Sequence, residues 1–177
     1  MTMKTEATLQ GNPADVSEVL KGGKFLTFYL GEEEYALEIL KVQEIIGLMA
    51  ITPVPKTPDS VLGIINLRGK IIPVLDLRRK FEMASVDHDD LTCIVVMQVS
   101  EILVGILVDR VNEVSDLDES HLQGMPAINS GPMSECLLGV GKIDDRVLML
   151  LNIEHVIDHE TIAKMDLAAE DEASEVG

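Results

Sequence analysis

The chain has 177 residues, 46% of them apolar, which is enough for one ordinary core or two small ones. Its 31 acidic and 14 basic side chains leave a net charge of −17, which repels phosphate backbones and anionic headgroups and so argues against nucleic acid and membrane surfaces as partners. No stretch approaches the roughly 18 apolar residues of a membrane span, and the opening residues lack the apolar segment of a secretion signal, so a cytoplasmic protein is expected.

In chain order, residues 1–24 are polar and without periodicity, and are expected to form a flexible tail. Short aliphatic, β-branched segments separated by turn signals then predict strands: "KFLTFYL", "EYALEIL", "VLGIINL", "KIIPVLDL", "TCIVVMQV", "ILVGILVD", "LLGVGKI" and "RVLMLLNI". In "EYALEIL", Tyr35, Leu37 and Ile39 alternate with Ala36 and Glu38, the period of a half-buried strand. Pro73 cannot donate to a ladder, which predicts an edge strand or a bulge there. Cys93 and Cys136 have no metal or redox spacing and are read as buried free thiols. Residues 159–177 form an acidic tail rich in small residues.

The chain repeats itself. Displaced by 69 positions, "FLTFYLGEEEYALEILKVQEI" lies over "IVVMQVSEILVGILVDRVNEV", matching Glu32 to Glu101, Val42 to Val111 and Glu44 to Glu113. Displaced by 76, "LGIINLRGKIIPVLDL" lies over "LGVGKIDDRVLMLLNI", matching Leu62-Gly63 to Leu138-Gly139. Two similar β-modules follow, residues 25–92 and 93–158. In this register Arg68-Gly69 falls over Asp144-Asp145, and both pairs suit a tight turn, so each marks a hairpin tip. Folding does not require an arginine there. Lys56, Arg68, Lys70, Arg78, Arg79 and Lys80 lie among only Asp59 and Asp76, a local positive excess that predicts a surface for an acidic partner.

Reactive constellations are scarce. His155 and His159 have the spacing of two imidazoles on one helical face, but no third ligand accompanies them, and no metal is expected. The phosphate-binding glycine loops and the nucleophile elbow are missing, so no cofactor is expected. The duplicated module brings to mind a shared aspartate dyad, yet the matched positions are Asp76 and Asn152. A binding platform is expected, with no catalytic residues.

At "GEEEYALEILKVQEI", "GIINLRGKIIPVLDLRRKF", "VGILVDRVNEV" and "LLGVGKIDDRVLMLLNIE", the chain resembles the CheW family of bacterial chemotaxis coupling proteins. The resemblance implies an all-β fold of two five-stranded SH3-like barrels around a shared core, with short helices and no enzymatic activity. It implies an adaptor that links methyl-accepting chemotaxis receptors to the histidine kinase CheA through the kinase's regulatory domain. Such an adaptor would be recruited to receptor arrays at the inner face of the membrane, without inserting into it, and other CheW copies are possible neighbours. Matched by motif, Arg68, Gly63, Val42 and Glu44 are implied to serve receptor or kinase coupling. Ile45, Val104 and Val111 join Val42 as candidates for a groove that takes a receptor helix. Gln123 and Ile128 fall in a loop implied to serve ring assembly, where related sequences carry a basic residue and an aromatic.

Overall fold

The computed structural model describes residues 20–99, 101–124 and 136–157. Among them eleven strands run in the order β1 (Gly22–Leu30), β2 (Glu33–Glu38), β3 (Val42–Gly47), β4 (Val61–Leu67), β5 (Lys70–Asp76), β6 (Cys93–Val99), β7 (Ile102–Val108), β8 (Arg110–Asp118), β9 (Leu122–Gly124), β10 (Leu137–Ile143) and β11 (Arg146–Leu151). One-turn helices α1 (Leu77–Lys80) and α2 (Ile153–Val156) follow β5 and β11. All eight expected strands are present, and β3, β8 and β9 are additional. β3 alternates half-buried and exposed residues and β8 is mostly exposed, so neither carries the apolar run that marks the others.

The strands form two sheets, ordered β3-β6-β7-β5-β4 and β8-β1-β2-β11-β10-β9. The repeat is real element by element: β1, β2, β3, β4, β5 and α1 match β6, β7, β8, β10, β11 and α2. The sheets nevertheless do not follow the expected division at residue 92. Hairpin β1–β2 sits between β8 and β11 of the second repeat, and hairpin β6–β7 sits between β3 and β5 of the first. Each repeat therefore lends its first hairpin to the other. Alternation along a strand specifies two faces but leaves open which sheet the strand joins, because ladder bonds are made by backbone.

Each sheet curls closed into an SH3-like β subdomain. The chain leaving β3 returns at Thr52 to pair with Ile64 on β4, and the chain leaving β8 returns in β9, where Gln123 pairs with Val140 on β10. Ile65, Ile72, Val74, Ile94, Val96 and Leu107 fill the first barrel; Phe25, Ala36, Leu117, Leu148 and Leu150 fill the second. Between the barrels lies a larger core to which both sheets contribute, including Leu26, Leu37, Val95, Met97, Val104 and Ile106. The unbroken run in β6 is thereby explained: Ile94 and Val96 face the barrel while Val95 and Met97 face the shared core, so both faces are dry. Three of the five aromatic residues gather in that shared core, Tyr35 stacking on Phe28 and Phe81 at 5.7 and 5.9 Å.

Matched positions take matched local structure. Gly63 and Gly139 both sit at a register shift, where a Cβ would come within 2.1 Å of the Thr52 carbonyl oxygen and 2.4 Å of the Gln123 carbonyl oxygen. Arg68 and Asp144 both adopt φ of +52° at the hairpin tips. Two expectations are corrected, and for Pro73 the bulge alternative holds, since the register shift at Gly63 lies beside it. β5 lies inside its sheet, but Ile64 turns both backbone polar groups toward Thr52, so its partner Pro73 stands where β4 requires no donor, and the ladder with β7 begins at Val74. Cys93 is half-buried, whereas Cys136 is buried. Residues 20–24, placed in the expected tail, belong to the fold, since β1 starts at Gly22 and Leu20 packs against the second barrel's interior.

Candidate functional site

A groove of about 570 Å³ opens at one end of the first barrel. Its apolar floor comes from Leu67, Ile72, Val96 and Leu103, and its rim carries Gln43, Glu44, Arg68, Lys70, Gln98 and Glu101. Arg68 reaches this rim because the two-residue turn between β4 and β5 places it at the tip, with Gly69 also at positive φ and its N–H donating to Asn66 Oδ1 at 2.9 Å. The guanidinium grips Glu44 on β3 with both terminal nitrogens, Nη1 lying 3.1 Å from Oε2 and Nη2 pairing with Oε1. The hydrogen bonds from Arg68 hold the Glu44 carboxyl below its ordinary range. Arg68 still leaves 69% of its side chain exposed.

An arginine at positive φ is backbone strain that Gly, Asn or Asp would reduce. The second repeat meets the same demand with Asp144. Lys56, Glu82 and Glu101 also take positive φ, and of these Glu101 shares the groove rim with Arg68.

The other cationic residues near Arg68 do not form one free patch. Arg78 is 12% exposed and donates to both oxygens of Asp109, at 3.0 and 2.6 Å, and to the Ala84 carbonyl at 2.8 Å. Arg79 lies 3.8 Å from Asp76 and donates to the Asp59 carbonyl at 3.2 Å. Arg78 is thereby neutralised by an acid distant in sequence and Arg79 lies beside a near one, while Arg68 and Lys70 line the groove.

Among the remaining candidates, Val42 and Val111 are half-buried against the shared core on the edge strands β3 and β8, and Ile45 is 43% exposed on β3. Val104 is fully buried in the shared core, so its place as a groove residue is corrected. Gly63 is also buried and offers no surface; it admits the Thr52–Pro53 backbone beside β4. Gln123 is exposed on β9, and Ile128 lies outside the described residues, as does His159.

Sequence reasoning missed what occupies the matching end of the second barrel. There Arg146 on β11 donates to Glu34 on β2 at 3.2 and 2.7 Å and to Glu113 on β8 at 3.0 Å. Asn112 donates to Glu34 at 2.8 Å, and Ser115 to Glu113 at 2.9 Å. Burial pushes the Glu34 carboxyl up, but hydrogen bonds from Arg146, Asn112 and Thr27 outweigh it and leave the pKa lowered. A signal was present in the repeat, which aligns Glu44 with Glu113 and Lys70 with Arg146, an acid and a base at the same end of each barrel.

Two closed barrels that share a core, one with an apolar-floored and charge-rimmed groove at its end, have the build of a protein-binding module. A profile described as the CheW-like domain matches residues 24–161, and the chain belongs to that family. The Klebsiella aerogenes chemotaxis protein CheW is 40% identical over 148 residues, covering 84% of this chain and 89% of that protein. The Thermotoga maritima chemotaxis protein CheW is 33% identical over 147 residues, covering 83% and 95%. The crystal structure of the scaffolding protein TtCheW from Thermoanaerobacter tengcongensis superposes with a TM-score of 0.73 at 31% identity, covering 79% of this chain and 95% of that one. The family is one of chemotaxis scaffolds, and the protein is an adaptor in chemotaxis, not an enzyme. Among the described residues no helix is long and apolar enough to cross a membrane.

Proposed function

We propose that this adaptor couples the cytoplasmic tips of methyl-accepting chemotaxis receptors to the histidine kinase CheA, so that receptors regulate the kinase. The observation that carries the reading is Arg68, an exposed arginine kept at positive φ on a hairpin tip and oriented by Glu44 over an apolar floor. Its planar fork suits carboxylates or helix-end carbonyls of a helical partner, a geometry that lysine does not reproduce. Val42, Ile45 and Val111 supply apolar contacts on the edge strands, and Gly63 acts through the segment it admits. Gln123 on β9, with Ile128, serves contacts to the kinase regulatory domain or to further adaptor copies in a ring. The coupling function resides in residues 25–158, and the adaptor is held in receptor arrays at the inner face of the membrane through these contacts.

The test is reconstitution of receptor, kinase and adaptor with kinase activity as the readout. Arg68→Ala and Arg68→Glu should both leave the unfolding midpoint within about 2 °C of the parent, as for other exposed substitutions. Both should lose kinase activation, the charge reversal more completely. Variants that fold and activate like the parent would sink the reading.

A further inference from the structure

The groove beside Arg68 is a stretch of seam that the second barrel closes and the first leaves open. In the second barrel the β11–β2 ladder runs from Leu148–Glu34 to Leu150–Ala36, and in the first the β5–β7 ladder runs from Val74–Gly105 to Asp76–Leu107. Through the repeat, Leu148–Glu34 matches Ile72–Leu103, so the first ladder starts two residue pairs further from the hairpin tips. Ile72 and Leu103 line the groove where that ladder is missing. Its walls are two hairpin tips: β4–β5, which carries Arg68 and Lys70, and β6–β7, which carries Glu101. Glu44 is occupied by Arg68, and Gln43 donates to Gln98 at 3.0 Å. Lys70 and Glu101 are exposed and have no ion-pair partner among the described residues. The open seam therefore offers cations on one wall, an apolar floor, and a carboxylate on the other wall.

We propose that Glu101 is a specificity determinant of this groove, which accepts an amphipathic helix whose apolar stripe is flanked by an acidic side chain on one side and a basic one on the other. The stripe covers Leu67, Ile72, Val96 and Leu103, the acid meets Arg68 and Lys70, and the base meets Glu101. This deepens the coupling reading and rests on it, the helix being supplied by the receptor tip. Opposed walls also select which way the helix runs. Laid in the reverse direction, it presents each flank to the wrong wall and meets like charge on both sides. The repeat supplies an internal comparison. Glu32, on the β1–β2 tip, matches Glu101, but it stands beside a seam closed by the Leu148–Glu34 pairing and by Arg146.

The test measures binding of the full chain to a receptor signalling-tip fragment and, separately, to the kinase regulatory domain. Glu101→Lys should weaken binding to the receptor fragment about tenfold or more and Glu101→Gln about threefold, with the difference from the parent shrinking as salt is raised. Both variants should keep the unfolding midpoint within about 2 °C of the parent and bind the kinase domain as the parent does. Glu32→Lys makes the same change in net charge and should leave receptor binding at the parent's level. Equal weakening by Glu32→Lys overturns the proposal, because net charge then accounts for the loss. Weakening of kinase-domain binding alone overturns it as well, because the occupant of the groove is then not the receptor helix. If the Glu101 variants bind the receptor fragment like the parent while Arg68→Glu does not, this inference falls and the coupling reading stands; if Arg68→Glu also binds like the parent, both fall.

Discussion

At the end of the first barrel, Glu44 is gripped by an arginine that remains 69% exposed above an open groove. At the matching end of the second, Glu113 and the 6%-exposed Glu34 enclose Arg146, and the space is taken by the protein's own side chains. The position matching Lys70 bears Arg146, the position matching Leu103 bears Glu34, and the position matching Val96 bears Thr27, whose hydroxyl donates to the Glu113 carbonyl and accepts from its N–H at 3.1 and 3.2 Å. One scaffold thus supports two outcomes. Where a polar partner is internal and desolvated, the ion cluster closes the barrel; where the apolar floor is kept and the charge moves to the hairpin tip, the barrel stays open to another molecule.

Equivalence of the two frames is tested first by the bulge glycines, where the largest effects are expected. Gly63→Ala should lose about 3 kcal/mol, since the new Cβ meets a backbone oxygen and cannot displace it cheaply at φ of +151°. Gly139→Ala should lose somewhat less, because a positive φ is not required there and the oxygen is slightly further away. Denaturant unfolding of the two variants checks both figures; a neutral effect at either glycine would break the equivalence.

The contrast between closed and open ends is sharpened by Arg146→Ala. Removing the guanidinium leaves Glu34 buried with Asn112 as its remaining strong donor, and stability should fall by about 2 kcal/mol, below the cost at a fully buried pair because Arg146 is 36% exposed. The same triad sets a pH response. Glu34 and Glu113 have folded pKa values below their ordinary 4.5, so their contribution to stability is complete above that value and is lost as pH falls through it toward the folded pKa values. Unfolding midpoints measured from pH 6 down to pH 3 should decline less steeply in Arg146→Ala than in the parent. An equal slope would show that the triad contributes no proton linkage.

The smallest effect on folding is expected at the open end. Arg68→Gly relieves the positive φ while removing the side chain, so the unfolding midpoint should stay level or rise by a degree or two as receptor-dependent kinase activation is lost. A clear loss of stability would make Arg68 a structural counterpart of Arg146 and erase the contrast.

Sequence by itself determined the duplication, the eight apolar strands, the tips at Arg68-Gly69 and Asp144-Asp145, and the matched glycines, because each is a local demand: a period of two, a positive φ, a missing Cβ. It also set Arg68 apart, since a folding rule predicts glycine, asparagine or aspartate there. Tertiary structure alone decided that the first hairpins change places, that Val104 lies in a second core instead of a groove, and that Arg78 is neutralised by Asp109 while Arg68 stays exposed. Glu34 and Arg146 stand 112 residues apart, and their meeting follows from which sheet β2 joins. Backbone ladders accept any strand of suitable length, so that choice is made by side chains remote in sequence, through packing on two faces.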